Sequence, residues 1–71
     1  MSWEKPVYSK RAVSIAYDDQ TQEMTVTWKN GKATVYSGVP ESVALDLAHA
    51  PSVGNMINSD ITPNYTYRNV G

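Results

Sequence analysis

The sequence predicts an α+β domain: a three-stranded antiparallel β-meander packed against one α-helix, followed by a short C-terminal turn or helix. Three observations carry this expectation. Apolar and polar residues alternate over 12–17 and again over 24–28, the two-residue period of a half-buried strand. Asn30-Gly31 falls between two such runs, and both residues tolerate the positive φ of a tight hairpin. After Pro40 the period lengthens, with Val43, Leu47 and Ala50 returning to one side as on an amphipathic helix.

Residues 1–9 read as an N-terminal extension, 10–67 as the folded domain and 68–71 as a C-terminal tail. The extension carries Trp3, Val7 and Tyr8, which is too much apolar surface for an idle tail. It is expected to lie across the core, the alternative being an arm that touches a partner. In the first strand Val13, Ile15 and Tyr17 point one way, and Ala12, Ser14 and Ala16 the other. The stretch 18–22 is a polar turn in which aspartate side chains bond the backbone ahead of them. Met24, Val26 and Trp28 then alternate with Thr25, Thr27 and Lys29, and residues 32–36 return as the third strand.

Two registers are open for that second hairpin. A two-residue loop sets Trp28 opposite Ala33 and Val26 opposite Val35. A three-residue loop with a bulge sets Trp28 opposite Thr34 and Val26 opposite Tyr36. A slip of one residue exchanges the faces of a whole strand. The local alternation favours the first register, because it leaves one face cleanly apolar.

Gly38-Val39-Pro40 ends the sheet and opens the helix, with Pro40 in the first turn, where its missing N–H costs nothing. Glu41 follows where a carboxylate suits the helix dipole. Val43, Leu47 and Ala50 form the buried stripe, flanked by Ala44 and Ala48, with Leu45 and His49 on the opposite side. Pro51 stops the helix and 52–55 form a loop. Met56 and Ile57 return to the core, 58–60 cap a last short turn, and Ile61 and Tyr65 anchor the end.

Composition narrows the function. The chain has 71 residues, room for a single domain and a modest core. With no cysteine there is no disulfide or thiolate metal site to reinforce it. No stretch approaches the length of an apolar membrane span, so no membrane role is expected. The opening residues lack a basic start followed by an apolar run, so no secretory signal is expected, and the expected location is cytoplasmic. The six basic and seven acidic residues give a net charge of −1. Non-specific binding to nucleic acid calls for a strongly basic face, so charge disfavours nucleic acid as a partner. A near-neutral surface also repels other copies weakly, and self-association is expected.

Catalysis is not expected. His49 is the only histidine, and a general base needs a positioned partner. Asp18 and Asp19 are adjacent, so their side chains diverge on an extended chain and read as turn formers. Ser14 and Ser52 have no base nearby to activate them. Gly31, Gly38 and Gly54 are isolated and do not make a phosphate-cradling loop. No metal site and no cofactor are expected. Binding is the remaining class. Ser52-Val53-Gly54-Asn55 is a run whose backbone N–H groups can form an anion nest, though an ordinary helix stop explains the same residues. Thr25 and Thr27 lie on the sheet face turned from the helix, either a solvated face or an interface. Trp3 and Leu45 are apolar without an evident use in a monomer, which makes them candidate protein contacts.

One spacing runs through the chain: Ser14, Tyr17-Asp18, Met24 to Trp28, Asn30-Gly31, Tyr36, Gly38-Val39-Pro40, Ala50 to Gly54, Met56-Ile57-Asn58, Ile61 and Tyr65. In this order the residues resemble the KTSC domain, named for its place at the C-terminus of some lysyl-tRNA synthetases and found also as small stand-alone proteins in bacteria and phages. The resemblance implies a fold and a context but no reaction. Its Ser-x-Gly and following asparagine match Ser52, Gly54 and Asn58. Two positions depart from the pattern, since Thr62 stands at an arginine position and Thr34 at a tyrosine position. The synthetase context implies RNA or tRNA contact, while the stand-alone phage relatives imply a non-catalytic module that acts by occupancy. On that second reading the chain binds and inhibits or sequesters a host protein or a small anionic nucleotide in phage–host conflict, in the bacterial cytoplasm. Trp28, Tyr36, Asn55, Asn58 and Arg68 are then the candidates for stacking and hydrogen bonding. A third reading makes the chain a minor structural or assembly protein of a phage particle.

Overall fold

A computed structural model describes residues 2–70. Met1 and Gly71, the outermost residues of the expected extension and tail, lie outside the described residues. The described chain forms β1 (Ser2–Pro6), β2 (Ala12–Asp18), β3 (Glu23–Trp28), β4 (Ala33–Tyr36), α1 (Glu41–Ala48), α2 (Val53–Met56) and β5 (Tyr67–Val70). Helix α2 runs directly into a π-helical stretch, Ile57–Ile61. The five strands make one antiparallel sheet in the order β1-β2-β3-β4-β5. The expected three-stranded meander with one helix is therefore corrected to five strands with two short helices.

The added elements share a cause: each is specified by what it packs against rather than by its own residues. Strand β1 has no β-branched residue. It is held by pairing Trp3 with Tyr17 and Lys5 with Ile15, which brings the Trp3 and Tyr17 rings to 5.7 Å. The Trp3 indole Nε1–H donates to Glu41 Oε2 at 3.1 Å, tying the strand to the start of α1. All four residues of β5 are exposed, so no burial pattern announces it. It completes the edge beside β4 by pairing Tyr67 with Tyr36 and Asn69 with Thr34. Helix α2 includes Gly54 and Asn55, poor helix formers, but it buries Val53 and leads to buried Ile57 and Ile61.

The second hairpin adopts neither expected set of pairs. Its loop has three residues, Lys29-Asn30-Gly31, closed by Trp28 N–H donating to the Lys32 carbonyl at 2.8 Å and Gly31 N–H donating to the Trp28 carbonyl at 3.1 Å. Gly31 alone in this loop takes a positive φ, +87°. A two-residue type I′ turn needs positive φ at both central residues, whereas a three-residue loop needs only one left-handed residue at its end. The pairs are Met24–Tyr36, Val26–Thr34 and Thr27–Ala33. Thr34 and Tyr36 thus share the helix-side face with Val26 and Met24, and Ala33 and Val35 turn outward. The favoured register had these faces exchanged.

A bulge corrects the first strand. Ala12 pairs with Trp28 and Ser14 with Thr27, so Val13 is an extra residue, 44% exposed, and Ala12 takes its place in the core. In α1 the buried residues are Ala44 and Leu47, with Val43 half-buried against the same core, where Ala50, past the end of the helix, also packs. Pro40 is extended and precedes the helix rather than joining its first turn.

The core lies between the sheet and the helices. Ile15, Met24, Val26, Val39, Leu47 and Ile61 are its largest fully buried side chains. The buried Tyr17 hydroxyl donates to the Val39 carbonyl at 2.7 Å, which pins the link from β4 to α1 onto β2. Replacing Tyr17 with Phe leaves that carbonyl without its donor and is expected to cost about 1–2 kcal/mol, or roughly 5–15 °C in melting temperature for a domain of this size. Burial, and then the charges of Glu41, Asp19 and Asp18, raise the Tyr17 pKa above its ordinary 10.0. The native state therefore holds the phenol proton longer than the unfolded chain. The stability it contributes is full below about pH 10 and is lost as the pH climbs through the raised value. Denaturant titrations between pH 8 and 11 are expected to show a decline in the wild type that is shallower in Tyr17→Phe.

Candidate functional site

The start of β2 meets the end of β3 in an antiparallel pair, and this topology gathers cations that are scattered in the sequence. Lys10 and Arg11 precede β2, while Lys29 and Lys32 flank the β3–β4 tip. The two groups are joined by Lys29 N–H donating to the Arg11 carbonyl at 2.7 Å. All four line an open cleft of about 620 Å³ between the β3–β5 part of the sheet and the α2–π segment. They are four of the chain's six Lys and Arg residues, and among the described residues no carboxylate or histidine is in the lining. Acidic Glu4, Asp18 and Glu23 instead line a smaller depression at the β1–β3 end. The net charge of −1 hides a polarised molecule, and a cleft lined by one sign of charge concentrates counter-charged ligands.

Aromatic rings form the second part of the cleft. Trp28 is half-buried, and the Arg11 guanidinium lies 5.6 Å from its ring centroid. Tyr36 and Tyr67 face each other across β4 and β5 with centroids 5.6 Å apart. Tyr67 is 51% exposed, so it offers surface to a ligand. The Tyr36 hydroxyl is 3.2 Å from Thr62 Oγ1, which ties the tyrosine to the end of the π-helical stretch.

A short hydrogen-bonded relay crosses the cleft floor. The Trp28 indole Nε1–H donates to Thr34 Oγ1 at 2.9 Å, and the Thr34 hydroxyl donates to Asn69 Oδ1 at 2.9 Å. Thr34 is 5% exposed, the one buried polar residue among those described, and the relay is what satisfies it.

Of the residues singled out from sequence, Trp28, Tyr36, Gly54 and Asn58 come together in this cleft. Ser52 and Asn55 are outside the lining. The Ser52 carbonyl accepts the Met56 N–H and the Asn55 carbonyl accepts the Ser59 hydroxyl, both as parts of helical turns. Arg68 projects from the opposite sheet face, where it pairs with Glu23 at 3.2 Å, an exposed contact worth about 0–1 kcal/mol. Thr25 and Thr27 lie on that outer face too, Leu45 is half-buried on α1 on the helix side, and Trp3 is packed on Tyr17. The candidate interface residues thus fall on different sides of the molecule.

None of Lys10, Arg11, Lys29, Lys32, Tyr67 and Asn69 was among the candidate site residues read from the sequence. One signal was present. The two positions that depart from the family pattern, Thr34 and Thr62, both line this cleft.

Comparison with known proteins agrees with the resemblance. A family model described as the KTSC domain matches residues 8–65. The crystal structure of a KTSC domain protein from Yersinia pestis superposes with a TM-score of 0.88 at 27% identity, covering 100% of each chain. No curated protein matches the chain.

The relay gives a direct test of the floor. Thr34→Val keeps the side-chain shape but removes the hydroxyl, leaving the Trp28 N–H without its acceptor. Stability is expected to fall by about 1–2 kcal/mol, and one of the two indole N–H resonances should move while the Trp3 resonance, bonded to Glu41, stays in place.

Proposed function

The chain belongs to the KTSC domain family, and on that premise we propose that it is a non-catalytic binding module whose cleft takes an anionic ligand carrying a flat ring, of the nucleotide class. The observation that carries the reading is the segregation of charge: Lys10, Arg11, Lys29 and Lys32 line one cleft in which no described residue carries a carboxylate. Aromatic surface beside the cations supplies the stacking partner that a base needs. The volume falls within the range of small-molecule sites.

Gly54 supports the same reading. It sits in helix α2 with a helical backbone, where alanine is the better residue by about 0.5–1 kcal/mol. A Cβ built on it meets nothing within 4 Å, so no neighbouring group in the domain needs its small size. It lines the cleft, and the open space there belongs to whatever enters. Among the roles implied by the resemblance, sequestering a small nucleotide is the one this cleft fits best.

The test is calorimetric titration of the protein with mononucleotides, cyclic dinucleotides and short single-stranded oligonucleotides at two salt concentrations. A mononucleotide or dinucleotide is expected to bind, and the double charge reversal Lys29→Glu with Lys32→Glu is expected to weaken it roughly tenfold or more and flatten the salt dependence. Lys5→Glu, on β1 beside Trp3, serves as the control and should leave affinity unchanged. Affinity that appears only with oligonucleotides, rising with their length, would transfer the reading to single-stranded nucleic acid. Equal binding by the double variant and the wild type would overturn it.

A further inference from the structure

An exposed asparagine is ordinarily free to turn its amide either way. Asn69 is not, and the reason lies two residues away in the relay. An indole N–H is a donor only, so Thr34 Oγ1 must accept the bond from Trp28. The threonine's own proton still needs an acceptor, and Asn69 Oδ1 at 2.9 Å is the one it has among the described residues; accepting a second bond from the amide NH₂ instead would leave that buried proton unpaired. The asparagine atom that receives a proton must be the carbonyl oxygen. Asn69 therefore turns Oδ1 down to the buried Thr34 and keeps its NH₂ for the cleft, where Nδ2 has no hydrogen-bond partner among the described residues.

Position adds to orientation. Tyr67 and Asn69 are two residues apart on the helix-side face of β5, an offset of about 6.7 Å along a strand. The Asn69 amide therefore stands beside the place where a ring stacked on Tyr67 would lie. The four cationic side chains lie further on, around the β3–β4 tip, and they too are donors without acceptor capacity. Asparagine commonly reads adenine by accepting from its amino group while donating to its ring nitrogen. Here the relay withholds the acceptor half of that pair.

Resting on the reading of the cleft as a nucleotide site, we propose that Asn69 is a specificity-determining residue that donates to the ligand's ring edge, and that the site selects rings presenting a keto oxygen over those presenting an amino group. The device is the relay: Trp28 fixes Thr34, and Thr34 fixes which end of the Asn69 amide the ligand meets.

Two ligand pairs isolate the group concerned. Inosine and adenosine monophosphates differ along one ring edge, a keto oxygen beside a ring N–H against an amino group beside a bare ring nitrogen, and uridine and cytidine monophosphates differ in the same sense. The wild type is expected to favour the keto member of each pair by roughly tenfold. Asn69→Asp keeps an oxygen for Thr34 but offers the ligand an acceptor. It weakens every nucleotide through its charge, so the readout is the ratio within each pair, which should fall to one or invert. Thr34→Val frees the amide to turn and should bring the ratio close to one while affinity for the preferred member drops only severalfold. Equal wild-type binding within both pairs would overturn this inference and leave the cleft's nucleotide role intact. A ratio unchanged in both variants would overturn it as well. Failure of the wild type to bind any of the four nucleotides would overturn both the inference and the reading beneath it.

Discussion

The register of the β3–β4 hairpin is the constraint on which the rest depends. Gly31 in the left-handed region closes a three-residue loop, and that single extra residue turns Thr34 and Tyr36 toward the helices. Because side chains alternate along a strand, no intermediate arrangement exists. With Ala33 and Val35 inside instead, the core would gain apolar side chains. The molecule would lose the acceptor for the Trp28 indole, the ring that meets Tyr67, and the hydroxyl that orients Asn69. The cleft floor is a consequence of loop length.

That inward threonine also explains why a buried polar group is tolerated beside a small core. A hydroxyl removed from water costs free energy unless its bonds are replaced. Thr34 accepts from one side and donates to the other, so no described buried side-chain polar atom is left without a partner. The edge strand β5 takes part in the same arrangement. Strand β5 supplies the final acceptor, Asn69 Oδ1, and without it the inward register of β4 would strand a hydroxyl.

What could be read from the sequence follows the range of the forces involved. Strands β2, β3 and β4 and helix α1 were legible because their apolar spacing is local and each buries its own side chains. The family resemblance was legible too, carried by residues such as Gly38-Val39-Pro40 and Met56-Ile57-Asn58. Strands β1 and β5 were not, since Trp3 finds Tyr17 and Glu41, and Asn69 finds Thr34, only after distant segments are brought together. The register failed for a related reason: apolar alternation scores Ala33 and Val35 as inward, and it cannot see that Thr34 has two partners waiting. Among candidate site residues, Trp28, Tyr36, Gly54 and Asn58 converge, while Arg68 lies on the opposite sheet face, paired with Glu23. The basic cluster escaped because net charge is a sum and carries no position. Lys10 and Lys32 become neighbours of one cleft only through the β2–β3 pairing.

The cleft is assembled from parts of unequal stability. Its Trp28, Thr34 and Tyr36 belong to interior strands, whereas Tyr67 and Asn69 stand on an edge strand whose residues are all exposed. Strand β5 is held by its hydrogen bonds to β4, the Tyr36–Tyr67 contact, the Thr34–Asn69 bond and a weak exposed ion pair from Arg68 to Glu23. Elements with few buried apolar contacts open first in native proteins. A ligand that rests on Tyr67 and accepts from Asn69 adds contacts that exist only when β5 is docked, and it stabilises that state by mass action. On the proposed reading, binding and edge order are two sides of one equilibrium. The rigid half of the cleft orients Asn69 through Thr34, and the marginal half, β5, carries the groups that such a ligand would meet.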